Sequence, residues 1–118
     1  MAFSLLDRSF VVSQRDDGML FWSGTFNGMP IRRAIPLEDG NRCIILLDPD
    51  ATKQPVFANL LCIDRTGTPV WTAKLPTNPD VFLEATLEPE GLLTHTWSGM
   101  NIVLDQNTGD ELRRRFVK

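Results

Sequence analysis

The 118-residue chain holds few side chains that could do chemistry, and His95 is its only histidine. A metal centre, a Cys/His nucleophile or acid–base catalysis at neutral pH would each draw on it. In the predicted strand it shares a face with Leu93 and Trp97, which is typical of a structural histidine. Cys43 and Cys62 lie in apolar runs without metal-ligand spacing, so in a cytoplasmic protein they are expected to be small buried residues. The sequence predicts no catalytic residue, no metal and no cofactor.

The 15 carboxylates are the remaining source of acid–base chemistry. Most of them flank glycines in predicted turns, where Asp and Glu cap and solvate the backbone. The pair Asp48 and Asp50 lacks the spacing of a calcium loop, which favours a solvated loop. An enzyme with hidden carboxylates is a third functional class, but the sequence favours a protein that is not an enzyme.

Two arginines fall on otherwise apolar strand faces. Arg33 alternates with Ile31 and Ile35, and Arg114 alternates with Leu112 and Phe116. A guanidinium in such a position needs a carboxylate or a sheet edge open to water. One interpretation is edge protection, in which an inward charge prevents pairing with another chain. The other is an anion-recognition or partner-binding site built from Arg33, Arg113, Arg114 and Arg115. The last three open a basic segment that continues through Phe116 and Val117 to Lys118.

Three tryptophans, Trp22, Trp71 and Trp97, end or flank predicted strands, and the chain has no tyrosine. Large amphipathic rings at strand ends usually complete a core while the indole N–H reaches a polar partner. We therefore expect core positions for all three. The alternative is an exposed aromatic platform that binds a ligand or a partner.

Composition places the chain as one globular domain over residues 1–118, with 42% hydrophobic and 23% charged residues. A net charge of -3 argues against a dedicated nucleic-acid binder, which would carry a basic excess. The longest apolar run, residues 43–47, is too short to cross a bilayer, and the segment that begins at Met1 lacks the features of a secretory signal. The expected localisation is cytoplasmic.

Turn signals recur every eight to twelve residues, which is typical of an all-β chain. Asp17-Gly18, Asn27-Gly28 and Asp39-Gly40 suit two-residue hairpin turns, so neighbouring strands should be antiparallel. Two longer connections, residues 48–55 and 76–80, are the expected passages from one sheet to another. The predicted strands cover residues 10–14, 19–26, 29–36, 41–48, 57–64, 68–75, 81–88, 91–97, 100–105 and 111–117.

One stretch, residues 59–71, organises this meander: an apolar strand, Asp64, a turn closed by Gly67 and a second strand that ends on Trp71. Both faces of its first strand are apolar, which predicts a strand inside a sheet covered on both sides. Residues 101–112 repeat the scheme, with Gly109 placed 42 residues after Gly67, and residues 10–22 hold a weaker copy. Periods of this length indicate four-stranded propeller blades.

These repeats resemble those of the pyrroloquinoline-quinone-type β-propellers, in which an apolar strand, an Asp, a Thr-Gly turn and a strand ending in Trp recur in each blade. The resemblance covers about half of the chain and implies blade-like sheets. Arg113 stands where the second copy should carry its Trp. The residues that hold the quinone, calcium and a catalytic Asp in that family have no counterparts here, so the resemblance implies no cofactor.

The repeats amount to two and a half blades, over residues 10–26, 29–75 and 81–117, whereas a closed ring needs about four. Several chains could therefore associate into a homo-oligomer that completes a propeller. The interpretation that we favour is an antiparallel meander of about ten short strands that folds on itself as a two-sheet sandwich or a small barrel with propeller-blade-like hairpins.

The function predicted from this architecture is a protein-interaction module on a rigid β scaffold, which binds a protein partner and neither nucleic acid nor a membrane. A concrete form, by analogy with small bacterial β proteins, is an immunity-type inhibitor whose turn carboxylates meet a basic toxin. The alternative is a β-barrel that holds an anionic or aromatic small molecule with its Trp rings and an arginine.

Overall fold

The computed structural model describes residues 2–54 and 56–116, so the parts of our predictions that fall on Met1, Pro55, Val117 and Lys118 lie outside it. The described residues form twelve strands and no helix, which confirms the all-β prediction, and thus contain no helix able to cross a membrane. The strands are β1 (Ala2–Leu5), β2 (Val11–Gln14), β3 (Leu20–Gly24), β4 (Ile31–Pro36), β5 (Arg42–Leu47), β6 (Val56–Phe57), β7 (Leu60–Asp64), β8 (Pro69–Thr72), β9 (Asp80–Glu88), β10 (Gly91–Thr96), β11 (Met100–Leu104) and β12 (Glu111–Phe116).

The strands form three sheets in succession. Sheet 1 has the order β1-β2-β3, sheet 2 the order β4-β5-β7-β8 and sheet 3 the order β12-β11-β10-β9-β6. Neighbouring strands are antiparallel except for β6, which pairs with β9 in parallel. The predicted division into blades is therefore right except for β6, which joins sheet 3. The two-sheet sandwich or small barrel that we favour is not found, because the described strands make three sheets and none closes into a barrel.

Two strands are missing from the sequence prediction. β1 adds a third strand to the half blade predicted over residues 10–26. The strand predicted over residues 57–64 is split, because β6 leaves sheet 2 to pair with sheet 3 and the chain then returns as β7. The connection after β5 is thus a passage between sheets, as predicted, and so is the segment from β8 to β9.

The strand β7 is the centre of the molecule, as its two apolar faces predicted. It lies between β5 and β8, and its residues alternate between two separate cores. Leu61 and Ile63 pack in the core between sheets 1 and 2, with Val11 and Ile45 among their neighbours. Leu60 and Cys62 pack in the core between sheets 2 and 3. Each sheet is therefore held by apolar burial against the next one along the chain.

A tryptophan also reaches from each of the first two sheets into a hairpin of the next. A Cβ added to Gly67 would lie 2.2 Å from the ring of Trp22, and one added to Gly109 would lie 2.6 Å from the ring of Trp71. The indole N–H of Trp71 donates to the Gln106 carbonyl at 3.0 Å. The repeated motif thus has a physical purpose, because its glycine leaves room for the preceding sheet's tryptophan.

Asn59 joins sheets 2 and 3 through a fully buried side-chain amide. Its Nδ2 donates to the carbonyls of Leu47 and Phe82, each at 2.8 Å, and its Oδ1 accepts from the Phe82 N–H at 2.9 Å. Buried polar groups of this kind are retained when every donor and acceptor has a partner. This residue fixes the start of β7 relative to β9.

Candidate functional site

The outer face of sheet 3, on the side away from sheet 2, is not covered by any other sheet of the part of the chain that the structure describes. Two rows of paired residues cross this face: Leu93, Val103 and Arg113 in one, and His95, Asn101 and Arg115 in the other. We call these six residues the terminal face. Their alternate neighbours, such as Leu92 and Ile102, point into the core shared with sheet 2.

Strands β5, β7 and β8 of sheet 2 occupy the places that β10, β11 and β12 occupy in sheet 3. Their residues that face sheet 3 show what the terminal face would contain if another sheet packed on it. There the two rows that face sheet 3 are Ile44, Cys62 and Trp71, and Leu46, Leu60 and Ala73.

The terminal face keeps apolar residues at two of these six positions and has His95, Asn101, Arg113 and Arg115 at the other four. A further sheet of the same kind would have to bury two guanidinium groups, which is costly unless each is paired. The terminal face is therefore suited to water or to a polar partner rather than to another blade.

The polar side chains of the terminal face surround an apolar centre. The His95 Nδ1 and the Asn101 Oδ1 lie 2.7 Å apart across the two strands, within hydrogen-bonding distance. Arg113 forms an ion pair with Glu90 in the hairpin between β9 and β10. Leu93 and Val103 lie between these groups in an open depression of about 540 Å³. An apolar centre with a charged rim is the usual anatomy of a protein–protein interface.

The strand β12, which carries Arg113 and Arg115 of the terminal face, is an edge strand of sheet 3 within the described residues. On its other side, Arg114 places Nε and Nη2 2.9 and 2.7 Å from the two carboxylate oxygens of Glu111. These hydrogen bonds raise the pKa of Arg114. Phe116 lies on the same side as Arg114 and is 60% exposed, whereas Leu112, which is 55% exposed, is the extra residue where the register of β12 shifts, so the predicted alternation of Arg114 with Leu112 is wrong. The prediction that Arg114 needs a carboxylate or an open edge is confirmed, since it has both.

Arg33 satisfies the same prediction at a different place. It lies on β4, the edge strand of sheet 2, and its Nε is 2.5 Å from the Glu84 Oε1 on β9. Glu84 pairs across the sheet with His95, whose row continues to Arg115. Three strand spacings separate the ends of that row, about 14 Å. The structure therefore groups Arg113, Arg114 and Arg115 on β12 and places Arg33 apart from them, and a binding role for any of them stays a prediction.

The three tryptophans do not share one environment. Trp71 is buried and Trp22 is half-buried against the hairpin of sheet 2, as the core interpretation predicted. For Trp97 that interpretation is wrong, because its side chain is 63% exposed in the turn between β10 and β11. The ligand-binding barrel is also not supported, since no described sheet closes and the rings of Trp22 and Trp71 pack against glycines.

Asp80 is a buried carboxylate that sequence reasoning missed. It accepts hydrogen bonds from the backbone N–H of Val81 and of Ser98, and from the hydroxyls of Ser98 and Thr77, at 2.8 to 3.1 Å. These donors hold the turn that carries Trp97, so the role of Asp80 is structural. Its only sequence signal is an Asp placed after a proline at the start of an apolar strand, which is weak.

The remaining groups with chemical potential are the cysteines and the carboxylates. Cys43 and Cys62 are buried and unpaired with each other, as expected. Burial raises the pKa of the Cys43 thiol to about 12 and that of Cys62 to about 11, so neither is a thiolate at neutral pH. Within residues 2–54 and 56–116, no three His, Cys, Asp or Glu side chains are grouped to hold a metal ion.

Comparison with known proteins agrees with this architecture. The chain belongs to the family described as a domain of unknown function, DUF7957, whose model matches residues 28–116. No protein with a curated description matches it.

Two solved structures are similar over 98% of this chain. BamB from Moraxella catarrhalis, a PQQ-like β-propeller repeat protein, is 17% identical with a TM-score of 0.60, and the match covers 35% of that chain. The computationally designed Ika8 protein is 12% identical with a TM-score of 0.61, and the match covers 36% of it. This chain therefore spans about a third of the length of both proteins. The likeness shows a propeller-like fold, which confirms the blade-like sheets that the hairpin repeats implied.

Proposed function

We propose that this protein is a non-enzymatic interaction module that binds a protein partner through the terminal face, including the edge strand β12. The observation that carries the proposal is the replacement of Leu46, Leu60, Trp71 and Ala73 of sheet 2 by His95, Asn101, Arg113 and Arg115 of sheet 3. Where sheet 2 presents an apolar interblade surface, sheet 3 presents a charged rim around a small apolar centre.

The location of the charges supports a protein partner of acidic character. Three consecutive arginines lie on β12, and Arg113 and Arg115 both point onto the terminal face. Arginine is enriched at the centres of protein interfaces because its planar guanidinium binds carboxylates in a bidentate way. The two exposed arginines would also increase the rate of association with an acidic partner, in a salt-dependent manner.

The narrower expectations from the sequence belong to the same proposal. Action in the cytoplasm and inhibition of a toxin remain proposals, and a basic toxin would have to bind the turn carboxylates on another surface. The rigid stacking of the three sheets supports a scaffold in which the partner docks without a large rearrangement.

Site-specific photo-crosslinking tests the proposal directly. A photoreactive residue is placed at Leu93 within the terminal face and, as a matched control, at the exposed Val70 on β8. We expect position 93 to capture a defined protein in the native host that position 70 does not capture. The captured protein is then identified by mass spectrometry and purified.

The affinity of that purified partner is measured for the wild type and for two double variants. Arg113→Glu/Arg115→Glu changes the terminal face, whereas Arg8→Glu/Arg15→Glu makes the same change in net charge in the exposed connections on either side of β2. We expect at least a tenfold loss for the first variant and less than about a twofold change for the second. Equal binding by both variants, or no capture specific to position 93, would overturn the proposal.

A further inference from the structure

The strand β12 leaves one full row of backbone groups without a strand partner inside the described residues. It pairs with β11 on one side only, from Met100 with Phe116 to Leu104 with Glu111. In an antiparallel strand, alternate residues direct their N–H and C=O groups away from the existing neighbour. Such an edge is a template for another strand unless it is shielded.

The side chains of β12 shield this edge only in part. Charge protects an edge, and three arginines supply it, but Leu112 and Phe116 are 55% and 60% exposed on the same strand. Large apolar side chains on an open edge promote aggregation in a strand that has to stay unpaired. In a strand that binds a partner by pairing, the same side chains contribute to binding. The combination of arginines with exposed apolar groups favours selective pairing over protection.

The alternation of β12 defines what an added strand would have to carry. Arg113 and Arg115 lie on the terminal face, while Arg114 and Phe116 lie on the opposite side. Leu112 is the extra residue where the register between β11 and β12 shifts, so the alternation does not extend to it. Residues directly across a strand pair are on the same side of the sheet. A strand beside β12 would therefore place one set of its side chains against Arg113 and Arg115 and the other set against Arg114 and Phe116, next to the exposed Leu112 at the bulge. Arg114 is paired with Glu111 within β12, and Arg113 is paired with Glu90 in the neighbouring hairpin, so an acidic residue opposite Arg113 would share its guanidinium with Glu90.

We infer that the partner contributes an extended segment of about six residues, alternating acidic and apolar, which adds to sheet 3 as a strand beside β12. This inference rests on the proposed function and specifies the chemistry of the partner. On the terminal face the acidic side chains pair with Arg115 and compete with Glu90 for Arg113, and on the opposite side the apolar side chains cover Phe116. The main-chain hydrogen bonds supply affinity, and the alternation supplies specificity.

The test uses the whole protein and a blocked synthetic peptide, Thr-Glu-Val-Glu-Val-Glu-Val-Thr, titrated to about 1 mM. Two derivatives carry N-methyl groups on alternate residues. In one derivative the methyl groups block the backbone N–H groups along one edge of the peptide, and in the other they block the opposite edge. Only the derivative whose blocked edge faces β12 is prevented from pairing with it. A third peptide has the same composition with its Glu and Val residues in separate blocks. Hydrogen exchange of the amides of residues 111–116 and changes in their NMR shifts report the binding.

We expect the alternating peptide to slow exchange at alternate amides of β12 at least tenfold. The N-methyl derivative whose methylated edge faces β12 should bind at least tenfold more weakly than the other N-methyl derivative. The peptide with its Glu and Val residues in separate blocks should also bind weakly. Arg113→Glu/Arg115→Glu should weaken binding, whereas Arg8→Glu/Arg15→Glu should not. Equal binding of both N-methyl derivatives, or no protection of β12 at the highest concentration, would overturn strand addition.

Failure of this inference is distinguishable from failure of the proposed function. If the peptide does not protect β12 but the crosslinked partner still loses affinity in the Arg113→Glu/Arg115→Glu variant, the terminal face binds its partner without strand addition. If the peptide adds to β12 and the natural partner binds that variant as well as the wild type, strand pairing is a property of the edge alone and the proposed site is wrong.

Discussion

Substitution of Gly109 by alanine should destabilise the protein far more than the same substitution at Gly18. Both glycines occupy the left-handed region, at φ +77° and +84°, in hairpins of the repeated motif. An alanine at either position therefore carries a backbone penalty of about 1–2 kcal/mol. Only at Gly109 would the new methyl group also meet a ring, at 2.6 and 2.7 Å from two carbons of Trp71, whereas nothing lies within 4 Å at Gly18.

The size of the additional penalty follows from the surroundings of Trp71. Carbon atoms pack at about 3.5–4.0 Å, so the ring or the hairpin would have to move by about 1 Å. The ring is buried and its Nε1 is hydrogen-bonded to the Gln106 carbonyl, which restricts its retreat. Overpacking of this kind costs about 1–3 kcal/mol. We expect a total loss of about 3 kcal/mol at Gly109 and about 1 kcal/mol at Gly18.

Urea unfolding, followed by far-UV circular dichroism and Trp fluorescence, measures both losses. A difference of about 2 kcal/mol corresponds to about 8 °C in Tm for a domain of this size. Gly67→Ala, which meets the ring of Trp22, should behave like Gly109→Ala. Equal destabilisation by all three alanines would refute the claim that tryptophan-to-glycine contacts join the sheets.

Three further predictions concern the buried groups and the turns. Asn59→Ala should lower the free energy of unfolding by about 2–4 kcal/mol in urea titrations, because the buried backbone groups of Leu47 and Phe82 lose their side-chain partner. A loss under about 0.5 kcal/mol would contradict this role of Asn59. Cys43 and Cys62 should react with a thiol reagent at pH 8 only as the protein unfolds, and fast labelling of the native protein would show that they are accessible. The hydrogen bond from the backbone N–H of Asn41 is the main cause that lowers the pKa of Asp39. The Asp39 carboxylate therefore stabilises the fold at pH values above its unfolded pKa of about 3.9. That contribution is lost as the pH falls through the lower pKa of the folded state. Asp39→Asn should therefore show a weaker loss of stability between about pH 4 and pH 2, and an unchanged acid profile would contradict this reasoning.

Much of the fold could be predicted because its determinants are local. Turn residues such as Gly67 and Asp64 fix the hairpins, and strict alternation in β7 indicates a strand covered on both faces. The number of sheets could not be obtained in this way. It depends on which strands pack face to face, and the same alternation satisfies a sandwich and a stack of blades equally well.

The candidate site was only partly predictable for a related reason. The unusual character of Arg113 was visible, because it occupies the position of Trp71 in the repeat. The cross-strand contact between His95 and Asn101 could not be predicted, since it depends on the register between β10 and β11. Residue type alone groups Arg33 with the other arginines, whereas its ion pair with Glu84 crosses between two sheets.

The measurement that tests the central claim most directly is the mass in solution of a variant whose terminal face is converted into an interblade face. His95→Leu, Asn101→Leu, Arg113→Trp and Arg115→Ala together restore the residues that sheet 2 presents to sheet 3. Light scattering behind a sizing column should show the wild type with the mass of one chain and the fourfold variant as a dimer or larger assembly at the same concentration. A wild type that already associates through this face, or a fourfold variant that stays monomeric and folded, would contradict the claim that these four polar residues set the terminal face apart from a blade interface.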